Sequence, residues 1–221
     1  NLNEHVVGKR WPTVARRQEM LREAIQIIRE LFTGEMVDWK GEYFEVDSAR
    51  LWDVPDTPVG IAAAVSGERS VETFAPLADH LIAVEPNKDL VDAWHDARRA
   101  TGLPGDVRVV GQIPICWDPD RDAAVQRAHD QFRWFAGGWA VNSDLPTTAG
   151  FDGATQFVRP GDVAESMPCG PDLDAIVDAV SKYWDAGFTD IAMVQIGDEN
   201  QDLFLTEAAG PLLEKLRNAS G

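Results

Sequence analysis

Cysteine is scarce here. Cys116 and Cys169 are the only two in 221 residues, and they stand far apart. A chain this long has core enough of its own, so a disulfide-stapled scaffold is excluded and a reducing cytoplasm is the expected compartment. Long apolar runs are missing as well. None approaches the roughly 18 residues that a helix needs to span a bilayer, so no membrane partner is expected. Positive charge is short: 20 Lys and Arg face 37 Asp and Glu, for a formal net charge of −17, and only five residues are lysine. A surface so negative repels phosphate backbones and anionic lipid, which argues against nucleic acid as a partner. The lysine shortage is compatible with salt adaptation and with a GC-rich genome alike. The histidines His5, His80, His95 and His129 lack H-x-x-x-H or H-E-x-x-H spacing, so no metal site is expected. No leader is visible, but the chain starts at Asn1 without methionine, which leaves room for a lost targeting segment.

What is present is globular. With 44% hydrophobic and 26% charged residues, the chain is long enough for one large domain or two small ones. The most informative stretch is 59–85, VGIAAAVSGERSVETFAPLADHLIAVE. Positions 59–65 form a small apolar run without polar alternation, as expected of a strand buried on both faces. Ser66-Gly67 breaks it. Val71, Phe74, Ala75 and Ala78 then recur at helical spacing, and 81–84 is a second apolar run. Two strands joined by a helix of roughly ten residues predict a right-handed βαβ unit with parallel strands. Such sheets bind ligands at the carboxyl ends of their strands. Ser66, Gly67, Arg69 and Ser70 sit at that end, on the first turn of a helix, where N–H groups, two hydroxyls and one guanidinium suit an anion. The competing reading is a plain helix cap and chain turn.

The rest of the chain follows the same alternation. Thr13 is a plausible N-cap for a helix with Met20, Leu21, Ala24, Ile27, Ile28, Leu31 and Phe32 inward, ended by Gly34. Val37, Trp39, Phe44 and Val46 around Lys40-Gly41 predict a β-hairpin. A helix follows from Lys88 to about Ala100, on Leu90, Val91, Trp94 and Ala97. The run 107–117 is a strand interrupted by Gly111 and Pro114, which suggests a bulge or an exposed strand end. Residues 120–134 form a helix on Ala124, Val125, Ala128 and Phe132. The stretch 137–161 is the least regular, and irregular segments of that length are usually functional or mobile. Asp172 or Asp174 caps a helix through Trp184, 189–197 is a further apolar strand, and 201–217 is a last helix with Leu203, Phe204, Leu212, Leu213 and Leu216 inward. This alternation is α/β. Four parallel-type strands fall short of the eight of a closed barrel. Cys169, at a helix start, is read as inert packing. Trp134 and Trp139, flanking the irregular stretch, are candidates for a substrate-facing wall.

Several motifs point one way. The entry LNEH…GKRWP, the hairpin GEYFEV, the SGERS turn with ADHLIAVEPN, then MPCGPD and WDAGFTDIAMVQIG resemble the luciferase-like flavin and deazaflavin oxidoreductases. Within them the chain is most similar to the branch of coenzyme F420-dependent glucose-6-phosphate dehydrogenase. The resemblance covers nearly the whole chain. It implies a (β/α)8 TIM barrel lacking its first four βα units: residues 1–221 would be the carboxyl-terminal part of one barrel domain, with an insertion at 118–171. It implies hydride transfer between F420 and a small alcohol, ketone or enone, in a homodimer. It places Ser66, Gly67, Arg69 and Ser70 on the cofactor phosphate and Asn3 against the cofactor. FMN in a monooxygenase is the alternative cofactor, and a non-catalytic half-barrel subunit is the alternative role. The family's catalytic residues would precede Asn1, so this chain alone is expected to be inactive. Where the glucose-6-phosphate enzymes hold their phosphate with cationic groups, this sequence has Asn87 beside Lys88, Asn142-Ser143 and Glu165-Ser166. Losing one charged hydrogen bond costs on the order of 1.5–3 kcal/mol, so glucose 6-phosphate is not the expected substrate.

Overall fold

The computed structural model describes residues 1–57, 59–103 and 106–219, the side chain of Trp139 apart. The residues fall into two compact units, one of Asn1–Trp11, Gln112–Asp185 and Ile191–Gly221, the other of Pro12–Gly111 and Ala186–Asp190.

The second of these opens on α2, Val14–Leu31. The Thr13 hydroxyl accepts the Arg16 N–H at 3.4 Å, and Gly34, at φ +75°, turns the chain away. The helix buries Glu23, Ile25 and Ile27, whereas Leu21 and Ile28, expected inward, are 42% and 39% exposed. The hairpin explains the rotation. Strands β1 (Val37–Lys40) and β2 (Glu45–Ala49) pair antiparallel, with Trp39 opposite Val46. Their connection closes over the Glu23 carboxylate, which accepts from Trp39 Nε1 at 3.2 Å and from the N–H groups of Glu42, Tyr43 and Phe44 at 3.1, 3.1 and 2.9 Å. A buried carboxylate is tolerable only with such donors. Burial pushes its pKa up, and the four donors outweigh that and hold it below the usual range. A Cβ on Gly41 would lie 1.8 Å from Glu23 Oε1, so this turn takes only glycine.

The βαβ unit forms as expected but shorter. Strand β3 is Ala62–Ala64, α3 is Glu68–Phe74 and β4 is His80–Ala83, with β3 and β4 parallel and Ala63 opposite Leu81. Positions 59–61 do not join the strand. The Ile61 carbonyl accepts from Asp79 and His80, and its N–H donates to the Asp79 carboxylate at 2.8 Å, so a turn claims these groups. Arg29 on α2 donates to the same carboxylate at 2.7 Å and to the Leu77 carbonyl, fixing the unit on the helix. Helix α4, Lys88–Thr101, buries Leu90, Val91 and Trp94. Its fourth inward position is Arg98, not Ala97, because the Arg98 guanidinium donates to the Ala78 carbonyl. Burial of each such apolar side chain is worth roughly 1.5–3 kcal/mol. Strand β5, Val109–Ile115, runs parallel to β4 through Gly111. Pro114 lies beyond that register, where its missing N–H breaks no bond to β4.

In the other unit the end of β5 meets β6, Asp190–Gln195, and the Ile196 N–H donates to the Ile115 carbonyl at 2.8 Å. The strand order is β3-β4-β5-β6, an α/β arrangement. Helix α1 is Leu2–Val6 and α5 is Arg121–Phe132, capped by Asp120. The stretch expected to be irregular is helical. A 3-10 turn spans Arg133–Gly137, followed by α6 (Gly138–Asn142), α7 (Thr148–Thr155) and α8 (Pro160–Ser166). The helix starts are fixed locally: the Thr147 hydroxyl accepts the Gly150 N–H, and Pro160 occupies the first turn of α8. Cys116, Ala124, Ala128, Val163, Met167 and Ile196 form the core here. Helix α9, Leu173–Asp185, buries Ile176, Val180 and Tyr183. The last helix is two, α10 (Gln201–Glu207) and α11 (Ala209–Ala219), and Leu213 faces out while Leu212 and Leu216 are buried. No helix among the described residues is long and apolar enough to cross a membrane.

Candidate functional site

The turn after β3 is built to leave donors unpaired. Its entry is tied by the Val65 N–H to the Ile82 carbonyl at 3.0 Å. From Ser66 to Arg69 no backbone N–H has an acceptor among the described residues. Gly67 is the N-cap of α3, so no side chain closes the helix start. The Ser70 N–H and hydroxyl both turn back onto the Gly67 carbonyl, at 3.0 and 2.8 Å, which makes Ser70 a brace of the turn. The Ser66 hydroxyl and the Arg69 guanidinium are exposed and enter no hydrogen bond or ion pair found among the described residues. Gly67 has φ −174°, open to any residue, and a Cβ there would meet nothing within 4 Å. The chain itself therefore gives no reason for glycine at this place. A group lying over the turn would supply one. Four N–H groups, a hydroxyl and a guanidinium suit a phosphate, with the Glu68 carboxylate next in sequence as the opposing charge.

The other predicted residues have mixed surroundings. Asn87 is the N-cap of α4, its Oδ1 accepting the Leu90 N–H at 3.1 Å, and Lys88 pairs with Asp92. Asn3 is exposed on α1. Trp139 lies in α6, and its side chain is outside the described residues. Trp134 is 39% exposed, packed against Phe132 at 4.5 Å between ring centroids. It lines a cavity of about 390 Å³ with Leu2, Phe151, Asp130, Arg133 and Asp152. Nothing in the sequence joined Phe151 and Asp152 to Trp134, because the helix that carries them, α7, lies in the stretch read as irregular; Asp130 lies on the expected helix α5.

A second cluster was not visible in the sequence either. At the carboxyl end of β5, Asp118 accepts from Asp120 N–H at 2.8 Å, Arg127 Nη2 at 2.9 Å and Asn200 Nδ2 at 2.9 Å. Gln195 clasps the Trp117 backbone, accepting its N–H and donating to its carbonyl, each at 2.9 Å. Burial raises the Asp118 pKa, and the Asp120, Arg127 and Asn200 donors outweigh it, so the carboxyl stays below its usual range. Gly197, at φ +104°, is required: a Cβ would come within 2.3 Å of Arg127 Cδ. The two cysteines meet as bridge partners and remain free thiols. Burial pushes Cys169 up to about 11, so it is no ready nucleophile at neutral pH. Among the described residues no group of three or more His, Cys, Asp or Glu could hold a metal ion.

This arrangement has relatives. Residues 3–190 match the luciferase-like monooxygenase family, and the chain belongs to it. It is 27% identical, over its whole length, to the F420-dependent glucose-6-phosphate dehydrogenase of Nakamurella multipartita, and covers 67% of that protein. It is 29% identical to the enzyme of the same description from Kribbella flavida, over 97% of the chain and 67% of the relative. Among solved structures it resembles an F420-dependent secondary alcohol dehydrogenase in complex with an F420–acetone adduct (TM-score 0.68, 24% identity, 83% of this chain and 58% of that one). It also resembles the EDTA monooxygenase of Chelativorans sp. (TM-score 0.64, 15% identity, 95% and 62%). The chain thus spans about two thirds of the curated relatives and somewhat less of the solved chains.

Proposed function

We propose that this chain is the cofactor-binding portion of an F420-dependent oxidoreductase that exchanges a hydride with a small alcohol, ketone or enone. The observation that carries the reading is the turn after β3, where the N–H groups of Ser66–Arg69 have no acceptor among the described residues and the space at Gly67 is open. In this reading Ser66, Gly67 and Arg69 hold the cofactor's phosphate, Ser70 braces the turn, and Asn3 touches the cofactor. When bound, the deazaflavin supplies the hydride chemistry, and the protein supplies orientation. Glucose 6-phosphate is not the proposed substrate. Lys88 pairs with Asp92, the Asn142 amide donates to the Trp134 carbonyl, and the Ser166 hydroxyl donates to the Val163 carbonyl, so the three places where a phosphate clamp would stand offer no uncommitted cation. Fluorescence titration of the full polypeptide with F420 and with FMN tests this. Saturable F420 binding, weakened by Arg69→Ala, supports it, and tight binding of neither cofactor ends it.

FMN is the second reading, favoured by the family match and by the likeness to a monooxygenase. Preferential FMN binding in the same titration would select it. The remainder of a (β/α)8 barrel is proposed to lie upstream and to carry the catalytic groups. The functional unit is proposed to be a homodimer, supported by the exposed Val14, Leu21 and Ile28 on α2, which recur at a seven-residue spacing. Sedimentation of the full polypeptide as a monomer at micromolar concentration would rule that out.

A further inference from the structure

We propose that the cavity lined by α5, the 3-10 turn and α7 binds a small organic cation with a flat apolar body. This goes beyond the cofactor reading and does not depend on it. At about 390 Å³ the cavity falls in the range of small-ligand sites. Its walls combine two kinds of surface. Leu2, Phe151 and the partly exposed Trp134 are apolar, and the Trp134 ring is held by Phe132 at 4.5 Å and by Phe135 edge-on at 6.2 Å. Asp130, Asp152 and Arg133 carry the charge. Arg133, the one cation of the lining, is already paired with Asp152 at 3.1 Å. That leaves Asp130 in excess. Its Oδ1 receives Gln126 Nε2 at 2.9 Å and lies 3.1 Å from His129 Nδ1, while Oδ2 has no partner among the described residues. A carboxylate and an anchored indole on the walls of one cavity are groups that together recognise an ammonium on an aromatic or alicyclic frame. An anion would meet the residual negative charge of the lining and the −17 of the chain.

Isothermal titration of the full polypeptide tests this with phenyltrimethylammonium against benzoate. No cofactor is added, so failure here is separate from failure to bind F420. Saturable one-to-one binding of the cation is expected, with benzoate at least about tenfold weaker. Trp134→Ala should weaken the cation about tenfold and Asp130→Asn about fivefold. Trp134→Phe keeps an aromatic face and guards against a folding defect: it should retain most of the affinity. No saturable heat with the cation, equal binding of benzoate, or unchanged affinity in both Trp134→Ala and Asp130→Asn would overturn the proposal.

Discussion

Two strand ends in this molecule are treated in opposite ways. After β3 the chain turns through Ser66–Arg69 and leaves its N–H groups without acceptors among the described residues. After β5 it turns through Trp117–Asp120, and Asp118, Gln195 and Asn200 bind side chain to side chain and side chain to backbone. Carboxyl ends of parallel strands are where α/β proteins bind ligands. At the β5 end the polar groups are consumed by structure, so its geometry is fixed and its loss is felt as stability. At the β3 end they have no acceptor among the described residues, so under the proposed function its loss is felt as binding. The two glycines show the same contrast. Gly197 is demanded by its φ of +104° and by Arg127, whereas nothing in the chain demands Gly67.

The comparison can be broken by substitution. The largest effect is expected for Asp118→Ala, which strands the largely buried Arg127 guanidinium and should cost about 3–4 kcal/mol in urea unfolding. Gly197→Ala comes next, at about 2–3 kcal/mol, since it adds left-handed strain and displaces Arg127. The acid response of the same site follows from its pKa. The folded Asp118 carboxyl lies below its unfolded value, so its stabilisation is complete above about pH 4 and fades as pH falls through the folded value. Unfolding midpoints measured from pH 6 to pH 2 should therefore decline less steeply in Asp118→Asn than in the parent. At the β3 end Arg69→Ala should reduce F420 affinity about tenfold or more while shifting stability by less than about 0.5 kcal/mol. The smallest expected effect is that of Gly67→Ala on stability, within about 0.5 kcal/mol. A drop of several-fold in its F420 affinity would show that the cofactor lies over this position. If Gly67→Ala destabilised the protein as Gly197→Ala does, the contrast between the strand ends would collapse.

Local patterns were readable where one segment contains both partners. Thr13 before α2, Asp172 before α9 and the SG break after β3 all announce themselves within a few residues. The parallel pairing of β3 and β4 followed from two apolar runs around one helix. The face of α2 did not, because Glu23 is drawn inward by N–H groups some twenty residues away, an attraction that periodicity does not register. The helices Gly138–Asn142 and Thr148–Thr155 were hidden for a related reason, while 162–166 reads as a turn of helix in the sequence and the structure extends it to Pro160. Glycine, proline and threonine mark both loops and helix caps, and only the hydrogen bonds made by Thr147 and Asp162 tell which.

The sequence by itself determined the α/β alternation, the βαβ unit, the anion-friendly chemistry of SGERS and the resemblance to one oxidoreductase family, because each depends on spacing along a short stretch. Only the tertiary structure decided that the N–H groups of that turn have no partner among the described residues, that Asp118 meets Arg127 and Asn200, and that Trp134 shares a cavity with Asp130 and Phe151. Hydrogen-bond satisfaction and cavity shape depend on groups brought together from distant parts of the chain. Their distances are set by packing rather than by order along the sequence.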